Sequence, residues 1–108
     1  MASPTKETKK LLESEGYLVD VAEYSMRHSN RNRDLFGFID LVGIKEGDLV
    51  AIQTTSRSNT SKRINKVAES PAARIWLLSG NRIEVHGWGG RSGLKRVEVT
   101  MDYMESQE

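Results

Sequence analysis

The sequence contains no cysteine, which excludes disulfides, thiolate catalysis and cysteine-based metal clusters. A reducing compartment is compatible with that lack. It also has no apolar run approaching the roughly 20 residues needed to cross a bilayer, and its opening, MASPTKETKK, is polar and basic where a secretory signal would be apolar. A soluble, intracellular (cytoplasmic) protein without membrane contact is therefore expected. No internal repeat or low-complexity tract is present, and the glycine-rich GWGGRSG does not have the spacing of a phosphate loop or a dinucleotide fingerprint. With 108 residues, one domain over 1–108 around a single core is expected.

What is present is segregated charge. The formal net charge is only +1, but Arg27, Arg31 and Arg33 share one acid-free loop and Arg57, Lys62, Arg63 and Lys66 share another acid-free stretch. The tail, with Asp102, Glu105 and Glu108, is acidic. Basic groups gathered on two segments suit a phosphate-binding face, since each neutralised phosphate releases condensed counterions. Solvated surface is the alternative reading of the same runs.

Ser3 followed by Pro4 predicts a helix start, Ser as the cap and Pro at the first helical position, with Gly16 closing the helix. YLVDVAEY, with Tyr17, Val19 and Val21 on one face, predicts a first strand. Ser25 to Arg33 is polar and aperiodic and is expected to be an exposed loop. GFIDLVGI and LVAIQTTS, joined by the turn KEGD, predict a hairpin. SRSNTSKRINKVAES, capped at Ser58 or Asn59 and ended by Pro71, predicts a second helix whose Lys62, Arg63 and Lys66 lie opposite the apolar stripe. RIWLLSG, RIEVHGWGG and LKRVEVTMDY each predict a strand. The expected fold is α/β: a mixed central sheet in αβββαβ order with flanking helices and additional C-terminal strands.

The chemistry concentrates in the hairpin. Side chains at i and i+2 of a strand share a face, so Gln53 and Thr55 project together beside Asp40 if the two runs pair. Asp40 interrupts an apolar strand, and a carboxylate there must be paired, coordinated or at the wet end of the sheet. Cleaving a phosphodiester calls for a cation that polarises the phosphate and lowers the pKa of water, and hard cations choose oxygen ligands. Gln53 can offer a carbonyl oxygen, although it is neutral; Thr55 can orient a water or phosphate oxygen. Further acids are Glu23, on the alternation of Val19 and Val21, and Asp34, just before the hairpin. Lys62 or Lys66 can offset developing charge, and Arg57 and Arg63 suit bidentate phosphate contacts. For each residue a plain structural role is the alternative: a salt bridge or surface position for Asp40, a sheet-face amide for Gln53, an ordinary strand position for Thr55, and solvated or phosphate-contacting lysines. His86 reads as a strand residue, His28 as a member of the basic loop, and Trp88 either as a stacking platform or as part of a hairpin tip.

RDLFGFID followed by VAIQTTSRSN and a basic helix, in the element order given above, resembles the PD-(D/E)XK nuclease superfamily over about residues 4 to 90. The likeness is to its small phage-type members, akin to Holliday junction resolvases and virus-type replication-repair nucleases. Gln53-x-Thr55 stands where that family has Glu-x-Lys, so the site carries less negative charge and weaker metal binding is expected. The resemblance implies a Mg²⁺- or Mn²⁺-dependent DNA endonuclease, acting on branched DNA as a homodimer and encoded by a phage. It adds Glu7, from the first helix, to the metal ligands Asp40, Gln53, Glu23 and Asp34. A nucleic-acid-binding module of the same fold that has lost cleavage is the competing expectation, and an assembly protein that does not touch nucleic acid is a third.

Overall fold

The structure, a computed structural model, describes residues 3–22, 24–25, 32–91 and 93–106. The first helix, α1 (Pro4–Ser14), begins as the Ser-Pro signal requires, with the Ser3 hydroxyl accepting from the Lys6 amide at 3.3 Å. Strand β1 (Leu18–Val21) follows, then a two-stranded ribbon of β2 (Tyr24–Ser25) against β3 (Asn32–Arg33). The expected loop over 25–33 is thus tied together at its two ends. Strands β4 (Leu41–Lys45) and β5 (Asp48–Ser56) form the anticipated antiparallel hairpin, with Leu41 opposite Ile52. A 3₁₀ turn at Arg57–Asn59 leads into α2 (Thr60–Ala68), followed by α3 (Pro71–Leu78), β6 (Arg82–Gly89), β7 (Gly93–Val99) and α4 (Met101–Ser106).

Two expectations fail at this level. RIWLLSG is helix through Leu78, not strand: the Ser70 hydroxyl accepts from the Ala73 amide at 3.3 Å and Pro71 occupies the first turn, so Pro71 starts α3 where the sequence reading had it only end α2. The last run is strand only to Val99. Thr100 then caps α4 by accepting from the Tyr103 amide at 3.2 Å.

The main sheet is five-stranded and mixed, in the order β1-β4-β5-β6-β7, with β5 and β6 parallel and the other neighbours antiparallel. Two neighbouring parallel strands need a crossover, and α2 with α3 supplies it. Alternation along β5 divides the core. Ala51 faces the side where Ile64 and Val67 of α2, Ala73 of α3 and Met104 of α4 pack, while Val50 and Ile52 face Leu12 of α1 together with Tyr17 and Val19. Helices therefore flank the sheet on both faces. None of the described helices is long and apolar enough to cross a membrane.

One glycine fixes how closely the entry to α2 approaches β6. A Cβ on Gly87 would lie 1.9 Å from Thr60 Oγ1 and 3.1 Å from Arg57 Cα. The bare backbone there lets the 3₁₀ turn and the start of α2 sit against the sheet, which sets the position of the α2 side chains over the end of β5.

Candidate functional site

Asp40 stands immediately before β4. Its amide donates to the Ile52 carbonyl at 2.9 Å, and its carboxylate accepts the amide of Thr54, farther along β5, at 2.8 Å. The side chain thus takes over from the β4 backbone as partner for β5. The same Oδ2 accepts from Gln53 Nε2 at 2.7 Å and from the Thr54 hydroxyl at 3.2 Å, and Thr54 Oγ1 in turn pairs with the Thr5 hydroxyl of α1 at 3.1 Å. Asp40 is only 4% exposed and Gln53 only 2%.

These groups open into a cleft of about 440 Å³ lined by Thr5, Asp34, Asp40, Gln53, Arg63 and Lys66. Two acids, an amide and two cations therefore meet between the end of β5, the approach to β4 and the outer side of α2. The approach to β4 is a tight turn. The Leu35 amide donates to the Ile39 carbonyl at 3.0 Å, and Phe36 and Gly37 both take positive φ, 54° and 80°. That turn folds Asp34 back toward Asp40.

The electrostatics of the cleft are unusual for an aspartate. Burial, and after it a hydrogen bond with the Asp34 carboxyl, together push the Asp40 carboxyl up to about 7 against the opposing pull of the Thr54 amide. An oxygen-seeking cation can take the place of the proton that such a buried carboxyl holds. The donor set agrees. Gln53 gives its amide N–H to Asp40, which leaves Gln53 Oε1 buried with no hydrogen-bond partner among the described residues. A buried carbonyl oxygen without a donor costs free energy, and a divalent cation or its hydration water would satisfy it. Asp34, Asp40 and the Gln53 carbonyl therefore fit a hard cation, though among the described residues no three of His, Cys, Asp and Glu converge as a metal-binding group.

Of the expected site residues, the structure brings Asp34, Asp40, Gln53, Arg63 and Lys66 together. It does not bring Thr55, Lys62 or Glu7 to the lining. Thr54 occupies the place expected for Thr55, because the Asp40 carboxylate lies at the end of its strand, where it meets the next β5 amide and hydroxyl. Arg63 and Lys66 are three apart and share a helix face, whereas Lys62 is turned about 100° from Arg63 and is exposed. Glu7 sits in the first turn of α1, outside the lining. Glu23, Arg27 and Arg31 lie outside the described residues; Arg33 belongs to β3. Thr5 and Thr54 were not anticipated, and strand alternation alone points Thr54 away from Gln53.

A second buried polar cluster was also missed. On the α1 face, Glu84 is 3% and His86 0% exposed. Glu84 Oε1 accepts from His86 Nε2 at 2.8 Å and from Arg96 Nε at 2.7 Å, and Glu84 Oε2 accepts from Arg82 at 2.6 Å. His86 Nδ1 shares a 3.1 Å hydrogen bond with the Thr8 hydroxyl, which also accepts from Trp88 Nε1 at 2.8 Å. Arg96 continues to Glu15, and Arg82 to Asp48, whose carboxylate the Tyr17 hydroxyl also reaches. Burial pushes the Glu84 carboxyl up, but hydrogen bonds from His86 and Arg96 outweigh it and hold it at about 2.

No family model matches the chain, and no curated protein sequence matches it either.

Proposed function

We propose that the Asp40 cleft is the active site of a divalent-cation-dependent nuclease of the PD-(D/E)XK type, hydrolysing DNA phosphodiesters. The observation that carries this reading is the buried Asp40 carboxyl bonded to a Gln53 whose carbonyl oxygen has no hydrogen-bond partner among the described residues, in a cleft shared with Asp34, Arg63 and Lys66. The sheet order and the helix crossover between β5 and β6 support the restriction-endonuclease-like αβββαβ arrangement, with α3 now part of that crossover.

Asp34, Asp40 and Gln53 Oε1 would hold Mg²⁺ or Mn²⁺, which when bound polarises the phosphate and acidifies water. Arg63 and Lys66 bind the phosphate oxygens and offset the charge that grows on them, Arg63 standing where Lys62 was expected. Thr5 and Thr54 hold the Asp40 carboxylate in place.

One observation favours the binding-only alternative: Asp40 Oδ2 already accepts three hydrogen bonds, a saturation that also suits a purely structural carboxylate. Incubating the purified protein with branched and linear DNA and Mg²⁺ or Mn²⁺ separates the two. Cleavage that disappears in Asp40→Asn is the expected outcome. Salt-dependent DNA binding with no cleavage of any substrate would leave the binding module standing.

A further inference from the structure

A second cleft of about 520 Å³ opens at the same end of the sheet, lined by Ser56, Arg57, Ser58, Trp88, Gly89 and Lys95. Its volume suits a nucleobase with its sugar and phosphate. Thr54 lines the first cleft and Ser56 the second, and two strand residues span only about 7 Å. The Trp88 ring, anchored by its Nε1 hydrogen bond to Thr8 Oγ1 at 2.8 Å, lines the cleft as its aromatic wall. Gly89 and Gly90 add no side chain in front of it, and Gly90, at φ +57, takes a backbone conformation that glycine enters freely. Arg57 and Lys95 bring positive charge to this cleft, and no acid lines it among the described residues.

Aromatic wall, flanking cations and serine hydroxyls together match the chemistry of an unpaired nucleotide: a base to stack and a phosphate to neutralise. We infer that Trp88 is a stacking platform for an unpaired base of single-stranded or forked nucleic acid, with Arg57 and Lys95 holding the adjoining phosphate. This deepens the nuclease reading and rests on it for the direction of the strand: the nucleotide beside the one at Asp40 is drawn out and stacked on Trp88. A substrate with an unpaired segment at the cut site is thereby preferred over continuous duplex.

The test measures binding without divalent cations, so that it stands apart from cleavage. Affinity for a fluorescent oligothymidine and for a duplex of equal length is compared in the wild type, Trp88→Leu, Trp88→Phe and Lys95→Ala. Base stacking on an aromatic side chain contributes about 1–3 kcal/mol, so Trp88→Leu is expected to weaken oligothymidine binding by roughly 5- to 150-fold while changing duplex binding less than about twofold. Trp88→Phe keeps a ring and retains most of the affinity; Lys95→Ala weakens both ligands and flattens their salt dependence. Tryptophan fluorescence in Trp76→Phe, which leaves Trp88 as the one tryptophan of the sequence, is expected to be quenched as oligothymidine binds. Unquenched fluorescence, or equal loss for single strand and duplex in Trp88→Leu, overturns the inference and leaves the cleavage reading intact. Thymidine monophosphate binding as tightly as the oligomer likewise overturns it in favour of a free-nucleotide site. Trp88-dependent single-strand binding by a protein that cuts nothing would do the reverse, sustaining the platform and removing the nuclease.

Discussion

Asp40 and Glu84 are both carboxylates sunk into the same sheet, at 4% and 3% exposure, yet their surroundings drive them in opposite directions. Glu84 is enclosed by Arg82, Arg96 and His86, and its proton is expelled down to about 2. Among the described residues Asp40 has only neutral hydrogen-bond donors and a neighbouring acid, and its proton is retained up to about 7. Burial is common to both and so cannot explain the difference; the charge of the partners does. One carboxylate is complete and holds α1, β6 and β7 together. The other is held by neutral donors alone among the described residues and faces a cleft, the environment that the proposed cation site requires.

Substitutions can break this contrast in order of expected size. Asp40→Asn should abolish cation-dependent cleavage, lowering its rate roughly a thousandfold, since a catalytic cation supplies several kcal/mol and each 1.36 kcal/mol is tenfold in rate. Glu84→Gln, by contrast, should leave the cleft chemistry alone and unfold the protein more readily, because Arg82 and Arg96 lose their shared anion. Breaking a buried pair costs about 3–5 kcal/mol, enough to lower the melting temperature by more than about 10 °C. A drop of a degree or two would mean that the network contributes little.

The two groups should also tilt the pH profile of stability in opposite senses. Glu84 holds its proton less tightly when folded than when unfolded, so its contribution is present above pH 4.5 and is lost as the pH falls toward 2. Asp40 holds its proton more tightly when folded, so its contribution is complete below pH 3.8 and fades as the pH rises through 7. Chemical denaturation from pH 3 to 8 should show the upper limb, on the order of a few kcal/mol, disappear in Asp40→Asn while the acid limb persists. In Glu84→Gln the reverse is expected. A smaller effect follows from competition between proton and cation: Mn²⁺ affinity should grow up to about tenfold per pH unit below 7 and level off above it, as calorimetry at several pH values would show.

The packing clash at Gly87 adds a test of how the cleft is held. Gly87→Ala places a methyl against Thr60 and the Arg57 backbone, and overpacking of this kind costs about 1–3 kcal/mol. Because that contact positions α2, the loss should extend to DNA binding through Arg63 and Lys66. Unchanged binding with unchanged melting would show that α2 adjusts freely.

The hairpin was legible in the sequence because its signals agree: two β-rich runs, a Gly-containing turn and an acid opposite an amide. Ser3-Pro4 was equally plain. The same Ser-Pro signal recurs at Ser70-Pro71, but there the following Ile75 and Trp76 look strand-like, and the cap outweighs them because β6 must run parallel to β5 and needs a crossover. Thr54 escaped notice because period-two reasoning assumes that Asp40 lies within a strand, whereas β4 begins only after it, at Leu41. Glu84 and His86 alternate with Ile83 and Val85 as any half-buried strand would; only the fold shows that α1 covers the polar side and that Arg82 and Arg96 neutralise it. The cations that reach each cleft depend on helix rotation to a fraction of a turn, which separates Arg63 from Lys62 and is beyond what residue spacing resolves.

A crystal soaked in Mn²⁺ and measured at the manganese absorption edge goes straight to the question. Anomalous density among Asp34, Asp40 and Gln53 Oε1, absent in Asp40→Asn, is the expected result. A soaked crystal with an empty Asp40 cleft, or with density only elsewhere, would contradict the assignment of this carboxylate as the cation-holding group.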